Sequence, residues 1–512
     1  MEFIKYENLK PDIPTVEYKR ASTSEKSDIE VGLARFFCQN YYIITTPDDT
    51  IWFYCKDGTY TKDGAIIIAR AINDFLGTTE TTHSITEILS KIRHKTRTLE
   101  RYEELFFNKK GEEVYDICVE NGILNIKTGE LKDHTPNEHF CTKIPIKFDK
   151  TANCEKIEKF LKEITADANK EFDEKKYNHI IEIIGWCLRV NEYKPQKCVV
   201  FIGKGSNGKS VLLSLIKRLL GTKNVCSISI HQMQDDRFAI FGLFGMMANI
   251  YADLEQKAIE NTGIFNMLTG DDVVDGERKF KEEVVKFHNR AKMLFSCNIF
   301  PRLLNKTTDT VATYRRLDRI DFLHEFLPET GNCNPNLLDE ISTPDQLSGL
   351  LNLAIKGAQQ IISKGSFRDE LTIEENRRAI LSISDVVQLF AEEAIIEKTG
   401  ETLTRKEMYL LFRAYCGATR TRFLHDTKTQ SQFTGEFKHL IEKKEPEQYT
   451  WLTSTQHLLN NIPTQVWINV APNFAKFPLL EEIYDKECET VDMEERIDQM
   501  EENKKRNEAF GF

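Results

Sequence analysis

The chain has 512 residues, 40% of them hydrophobic and 29% charged, with a formal net charge of −11. That length exceeds one hydrophobic core and sets a soft expectation of about three domains. No apolar run approaches the ~20 residues that a bilayer-spanning helix needs, and MEFIKYENLKPDIP lacks the basic start and apolar stretch of a secretion signal, so an intracellular protein without a membrane partner is expected.

The acidity is concentrated. Residues 481–502 hold 11 acidic and 2 basic residues, which leaves the rest of the chain nearly neutral. Net charge therefore does not exclude a nucleic-acid partner, because a near-neutral body can carry a basic channel. The 12 cysteines are scattered, with no CxxC pair and no Cys/His cluster of zinc spacing; they read as reduced thiols, mostly buried.

In chain order, residues 1–28 are polar with a Ser/Thr/Lys cluster and read as an arm. TIWFYCKDGTYTKDG reads as a hairpin around Asp57-Gly58, and AIIIARAINDFLG as a helix stopped by Gly77. VYDICVENGILNIKTGEL gives two more strands with turns at Asn121-Gly122 and Thr128-Gly129. CEKIEKFLKEIT and NHIIEIIGWCLRV carry apolar residues at three- and four-residue spacing and predict two helices. Residues 197–325 then alternate strand and helix patterns, as an α/β nucleotide-binding core does, and Leu350–Ile362 predicts the helix that closes it. Beyond it, Thr404 to Glu407 form a capping box before a helix. A second helix runs through Phe433, Phe437 and Leu440, and YTWLTSTQ with TQVWINVA predicts a hairpin. Helix, helix, two strands is the winged-helix pattern; such a domain could grip duplex DNA through Arg420, Arg422, Lys428 or Lys438, or serve as a packing module. The acidic end reads as a disordered tail. The expected divisions are an arm at 1–28, a mixed domain at 29–190, an ATPase core at 191–365, a winged-helix-like domain at 366–475 and the tail at 476–512.

Gly203, Lys204, Gly205, Ser206, Asn207, Gly208, Lys209 and Ser210 satisfy GxxxxGK[ST], with a strand (VVFI) before and a helix capped at Gly221 after. The glycines let backbone N–H groups converge on a β-phosphate. Lys209 brings a positive charge to the β/γ-phosphates, the Ser210 hydroxyl is placed for Mg²⁺, and the helix from Val211 adds the positive end of its dipole. ATP and Mg²⁺ are the expected ligands. Downstream, GMMANIYADLE supplies Asp253 as a metal-orienting carboxylate at a strand end; Glu255 could activate water, although Leu254 separates the two acids and leaves that role open. AKMLFSCN ends a strand at Asn298, whose carboxamide could bond a γ-phosphate or the attacking water. In ATYRRLDRIDF, Arg315 and Arg316 precede an alternating strand, and the planar fork of arginine suits phosphate offered by a neighbouring subunit.

GKGSNGKS, YADLE, TGDDVVDGERKFKE, NRAKMLFSCNIFP and YRRLDRIDF, in this order and with Gly203 to Asn298 held within 96 residues, resemble the superfamily 3 helicases. More narrowly, they are similar to the phage/plasmid primase–helicase branch that includes the poxvirus-type helicase–primase. The upstream CKDGTYTKDG, ENGILNIKTGELKDHTP and CEKIEKFLKEIT resemble the domain preceding the helicase in that branch, so the likeness covers roughly residues 50–325. The resemblance implies an AAA+ fold, a hexameric ring with ATP sites between subunits, and translocation on single-stranded and forked DNA, with a separate primase or polymerase as a further partner. By position it makes Lys209 and Ser210 the phosphate-loop residues, Asp253 the metal carboxylate, Asn298 the sensor and Arg316 the arginine finger, with Arg315 as the fallback. Glu277–Lys292 matches the segment carrying the pore-facing hairpin. There Lys279, Lys281, Lys286 and His288 are the expected DNA contacts, with Phe280 and Phe287 available for stacking. Residues 1–190 carry no paired-carboxylate-plus-His polymerase pattern, and no primase activity is expected. Two other readings remain: an origin-binding initiator whose ATP use switches assembly, and an RNA-directed viral ATPase of the same superfamily.

Overall fold

The computed structural model describes residues 21–76, 82–107, 114–167, 169–259, 262–277, 284–303, 310–326, 334–419, 428–444, 448–450, 452–459 and 462–490. The chain forms two compact units. The first comprises Met1–Leu254, Gly263–Asn298 and Arg316–Glu370; the second comprises Glu255–Thr262, Ile299–Arg315 and Leu371–Phe512.

The first described element is a helix, Thr23–Asn40, which starts inside the segment 1–28 read as an arm and runs beyond it. Its start is fixed by a capping box between Ser22 and Glu25, a local signal that the polar composition concealed. Strands β1 (Ile43–Thr45), β2 (Ile51–Tyr54) and β3 (Tyr60–Thr61) form an antiparallel sheet. Helices Gly64–Leu76 and Thr82–Thr96 complete this layer, and Leu33, Phe37, Phe53, Ile68, Ile72, Ile88 and Ile92 make one core cluster. Strands β4 (Asp116–Val119), β5 (Gly122–Asn125) and β6 (Leu131–Lys132) form a second small sheet.

Two helices follow, Glu155–Ile164 and Glu174–Cys187. The main sheet is then built from β7 (Cys198–Ile202), β8 (Val225–Cys226), β9 (Ala248–Tyr251), β12 (Lys292–Cys297) and β13 (Leu317–Asp321), all parallel, in the order β13-β7-β12-β9-β8. β12 lies between β7 and β9, with Leu294 opposite both Val199 and Ile250. β7 is buried along its whole length, as a strand covered on both faces must be. The helix after it, Lys209–Leu220, presents Leu212, Leu215, Ile216 and Leu219, all fully buried, each worth about 1.5–3 kcal/mol of burial. β10 (Val273–Glu277) and β11 (Val284–His288) form a separate antiparallel hairpin between β9 and β12 in the chain.

Charged groups tie helix Glu174–Cys187 and the turn after it to this sheet. Lys292, at the start of β12, is wholly buried; its Nζ donates to the carbonyls of Arg189 (2.7 Å), Glu192 (2.6 Å) and Arg290 (3.0 Å). Trp186 and Tyr193 flank the ammonium, and burial pushes its pKa well below the ordinary lysine value. His179 on the same helix bonds Asp318 of β13 at 2.8 Å, while Glu182 accepts the backbone N–H of Arg368 at 2.9 Å. Helix Pro344–Lys364 lies against helix Glu174–Cys187 so closely that a Cβ on Gly185 would stand 2.3 Å from the backbone N of Ala358.

The second unit has helices Ile373–Ser384 and Val386–Glu393, then β14 (Ile395–Thr404), helices Arg405–Ala418 and Gln430–His439, and the hairpin β15 (Thr453–Leu459) with β16 (Ile462–Pro472). The sheet order is β14-β16-β15. The capping box at Thr404 and Glu407 forms as its sequence implies. The acidic end departs from the expected disorder: residues 478–490 are helical, Leu480 is fully buried, and Arg413 pairs with Glu487 at 3.1 Å. Apolar anchors at helical spacing outweigh charge repulsion there. Residues 491–512 of the expected tail lie outside the described residues, as do Arg420 and Arg422. Of the other two basic residues considered for duplex DNA, Lys428 pairs with Glu436 and Lys438 with Glu442.

Candidate active site

The loop begins where β7 ends. The Gly203 N–H donates to the carbonyl of Cys297 at the end of β12 (3.3 Å), which pins the loop to the neighbouring strand. Gly208 has φ +83°, and a Cβ there would lie 2.5 Å from Ile164 Cγ2. Conformation and space both demand glycine at that position. Ser206 also sits at positive φ, and its carbonyl accepts the Phe326 N–H at 2.6 Å.

Inside this turn Lys209 folds back over the loop. Its Nζ donates to the Gly203 carbonyl (2.6 Å), the Lys204 carbonyl (3.0 Å) and Asn207 Oδ1 (2.8 Å). Burial lowers its pKa, and Cys297 and Asp253 oppose that shift, which places the Asp253 carboxylate within electrostatic reach of the ammonium. Asn207 is 2% exposed, and its Nδ2 donates to the Phe322 carbonyl just past β13 (3.3 Å). The side chain of Ser210 is exposed at the first turn of the helix.

Two further residues expected in the site, Asp253 and Asn298, lie at the same edge of the sheet. Asp253 follows β9 and is exposed, with φ +60°, a left-handed conformation that aspartate tolerates better than most residues. The next N–H, of Leu254, donates to Ser296 of β12 (2.8 Å) and fixes that turn. Asn298 is exposed immediately after β12. The loop, Asp253 and Asn298 thus stand at the C-terminal ends of three adjacent parallel strands, where open α/β sheets bind ligands. Glu255 is exposed and falls in the second unit.

Arg315 and Arg316 end helix Thr310–Arg316, at the opposite end of the sheet: Leu317 begins β13 opposite Cys198, the first residue of β7. The loop of the same chain is a full strand away, roughly 16 Å at ~3.3 Å per residue. Arg316 is 8% exposed and so close to Gly270 that a Cβ there would meet its Nη2 at 3.1 Å. Arg315 is exposed.

On the hairpin, Lys279, Lys281 and Phe280 lie outside the described residues. Lys286 is exposed and opposite Asp275 in the register. The His288 ring bonds the Asp271 carbonyl at 3.0 Å. Phe287, considered for stacking on bases, is instead buried, opposite Val274 in register and edge-on to Phe244 at 5.2 Å. The two-residue period of a strand turns it inward while Lys286 points out. Arg290 and Lys292, part of the same basic run, are also buried. Sequence spacing anticipated that the loop, Asp253 and Asn298 follow the ends of strands. It missed the tie from Asn207 to Phe322 and the approach of Ile164 to Gly208, because both join segments far apart in the chain.

Two family models match. Residues 34–166 match the model described as D5 N terminal like, and residues 201–316 match a family of unknown function, DUF5906. The second match runs from the strand before the loop to Arg316. The chain therefore carries a D5 N-terminal-like segment joined to a DUF5906 segment, and the likeness to the primase–helicase branch read from its motifs is borne out at the family level. A curated relative, "Putative helicase L207/L206" of Acanthamoeba polyphaga mimivirus, is 27% identical over 242 residues. That match takes in 44% of this chain and 23% of the relative, so the chain spans less than a quarter of that protein's length. Among solved structures, the apo NrS-1 C terminal region is similar at 13% identity with a TM-score of 0.47, covering 85% of this chain and 98% of that one. No described helix is long and apolar enough to cross a membrane.

Proposed function

We propose that the chain is an ATP-hydrolysing DNA helicase of superfamily 3 with an AAA+ P-loop core. The observation that carries this reading is the sheet order β13-β7-β12-β9-β8 with the phosphate loop, Asp253 and Asn298 on the ends of its three central strands. A strand interposed between the loop strand and the acidic strand sets a polar sensor between phosphate and carboxylate, the geometry that hydrolysis requires. The mimivirus relative's name supports the same class.

In this reading Lys209 leaves its three loop oxygens for the β/γ-phosphates of ATP, exchanging neutral acceptors for charged ones. Among the described residues no three His, Cys, Asp or Glu side chains gather around a common point. A Mg²⁺ ion would be held by the exposed Ser210 and Asp253 together with phosphate oxygens, and it would supply charge neutralisation on the phosphates. Asn298 orients water or the γ-phosphate. The arginines lie a strand's length from their own loop, which supports a reading in which they serve a neighbour's loop in a ring, a hexamer in this class. Exposure favours Arg315 as the group offered outward, whereas Arg316 fits a role in holding the end of β13. The second unit, with strand, two helices and a hairpin in winged-helix order, would touch DNA, and Lys286 and His288 with Lys279 and Lys281 would line the pore.

The test is ATP hydrolysis and unwinding of a tailed DNA duplex. Both should vanish in Lys209→Ala, and mixing Lys209→Ala with Arg315→Ala or Arg316→Ala protein should restore ATPase through shared interface sites. No recovery at any ratio would sink the trans arginine. Sequence-specific duplex binding with slow turnover and no unwinding would favour an initiator, and stimulation by RNA rather than DNA would favour the RNA-directed reading.

A further inference from the structure

Beside the phosphate loop the first unit opens a cleft of about 500 Å³, lined among others by Lys162, Glu163, Ala166, Lys170, Phe172 and His324. We infer that this cleft receives the base of the bound nucleotide, stacked on Phe172 and His324; the inference rests on the nucleotide-binding reading of the loop.

Two links join the cleft to the loop. Ile164, between the lining residues Glu163 and Ala166, touches the loop so closely that a Cβ on Gly208 would collide with it at 2.5 Å. On the other wall, the Phe326 N–H bonds the Ser206 carbonyl at 2.6 Å, and the Phe326 ring meets the lining ring of His324 edge-on at 4.6 Å. A ligand whose phosphates sit on Gly203–Ser210 has this cleft as its neighbouring concavity. The volume falls in the ~300–1,000 Å³ range of small-molecule sites.

The lining has the right chemistry for a flat aromatic ring. Phe172 is 48% exposed, which leaves part of its ring open to a stacking partner. It is nevertheless held in place. Asp167 Oδ1 accepts the N–H groups of Asn169 (2.8 Å) and Glu171 (2.9 Å), and the Asp167 N–H donates to the Glu171 carbonyl (2.8 Å). That turn, with Lys170 at φ +65°, delivers Phe172 to the rim, where its ring rests edge-on against Tyr177 at 5.5 Å. A base stacking there would cover the exposed ring, within a lining that balances Lys159, Lys162 and Lys170 against Glu155, Glu158 and Glu163.

The experiment compares ADP with inorganic pyrophosphate, each with Mg²⁺, by calorimetric titration of the full chain. Phe172→Ala should weaken ADP by about tenfold, the scale of one base–aromatic stack, and leave pyrophosphate within about twofold. His324→Ala should act in the same direction, and Phe172→Tyr, which keeps the ring, should bind ADP like the wild type. If both alanine variants leave ADP unchanged while Lys209→Ala abolishes its binding, the base assignment fails and the loop reading stands. Equal losses of ADP and pyrophosphate in Phe172→Ala would also overturn the assignment. A wild-type chain that binds neither ligand would overturn both readings together.

Discussion

Asn207 uses both ends of its carboxamide: Oδ1 accepts from Lys209 Nζ and Nδ2 donates to Phe322 O. It thus couples the Lys209 ammonium to the exit of β13, the strand that begins next to Arg316. Asn207→Ala removes one buried partner from each group, at a cost of about 1–3 kcal/mol. Asn207→Asp keeps the shape but sets a carboxylate against Lys209, where it competes with phosphate for the ammonium. Nucleotide affinity in Asn207→Asp should therefore fall below that of Asn207→Ala, and Asn207→Asp also loses the donor to the Phe322 carbonyl and sets an acceptor against it. A titration and a thermal melt of each variant check this, and equal affinities would refute it. The sequence marks Asn207 as part of a phosphate loop, but no local pattern reveals a partner 115 positions away. Asp253 is similar: an apolar run ending in an acid predicts a strand end, whereas its left-handed backbone comes from the Leu254 bond to β12, a tertiary contact.

At the scale of elements, helices Glu174–Cys187 and Pro344–Lys364 were both readable from apolar spacing, but their partnership was not. They meet through glycines on both sides, Gly185 and Gly357, and a Cβ on Gly357 would stand 2.3 Å from the Ile181 carbonyl. Gly357→Ala should destabilise by about 1–3 kcal/mol through overpacking, even though alanine is the better helix former by about 1 kcal/mol. Gly435→Ala, on helix Gln430–His439 with no atom within 4 Å of the added Cβ, should instead hold or raise stability. Chemical denaturation of both variants reads the difference, and equal behaviour would mean that the close approach carries no weight. The basic run around Lys286 shows the converse limit. The segment reads as DNA-facing with Phe287 available for stacking, but strand alternation and the start of β12 put Phe287, Arg290 and Lys292 inside.

For the molecule as a whole, cohesion of the first unit rests on charges placed in its interior. Burial alone would lower the pKa of His179; Asp318 and Glu182 overcome it and raise the value to about 10. A raised folded-state pKa contributes stability that is fully present below the unfolded value of ~6.5 and is lost as pH rises through the folded one. The gap in melting temperature between the wild type and His179→Gln should therefore narrow between pH 7 and about 10. A constant gap across that range would show that the pair is not ionic. Contiguous divisions were all that a linear reading could offer, whereas Glu255–Thr262 and Ile299–Arg315 leave the main sheet's segment to join the second unit. Excursions of this kind follow from contacts made after folding, and composition does not record them.

The buried ammonium of Lys292 has a consequence for how the chain can be divided. Its acceptors include the Arg189 and Glu192 carbonyls, upstream of the segment 201–316 that matches the second family model. Cutting at β7 would strip a cation of two of its three oxygens and of the rings of Trp186 and Tyr193, leaving an uncompensated charge at the root of the central strand. The stretch recognisable by kinship is therefore shorter than the stretch able to fold by itself. An excised main-sheet segment must start before Glu174, so that helix Glu174–Cys187 stays with the sheet it helps to hold.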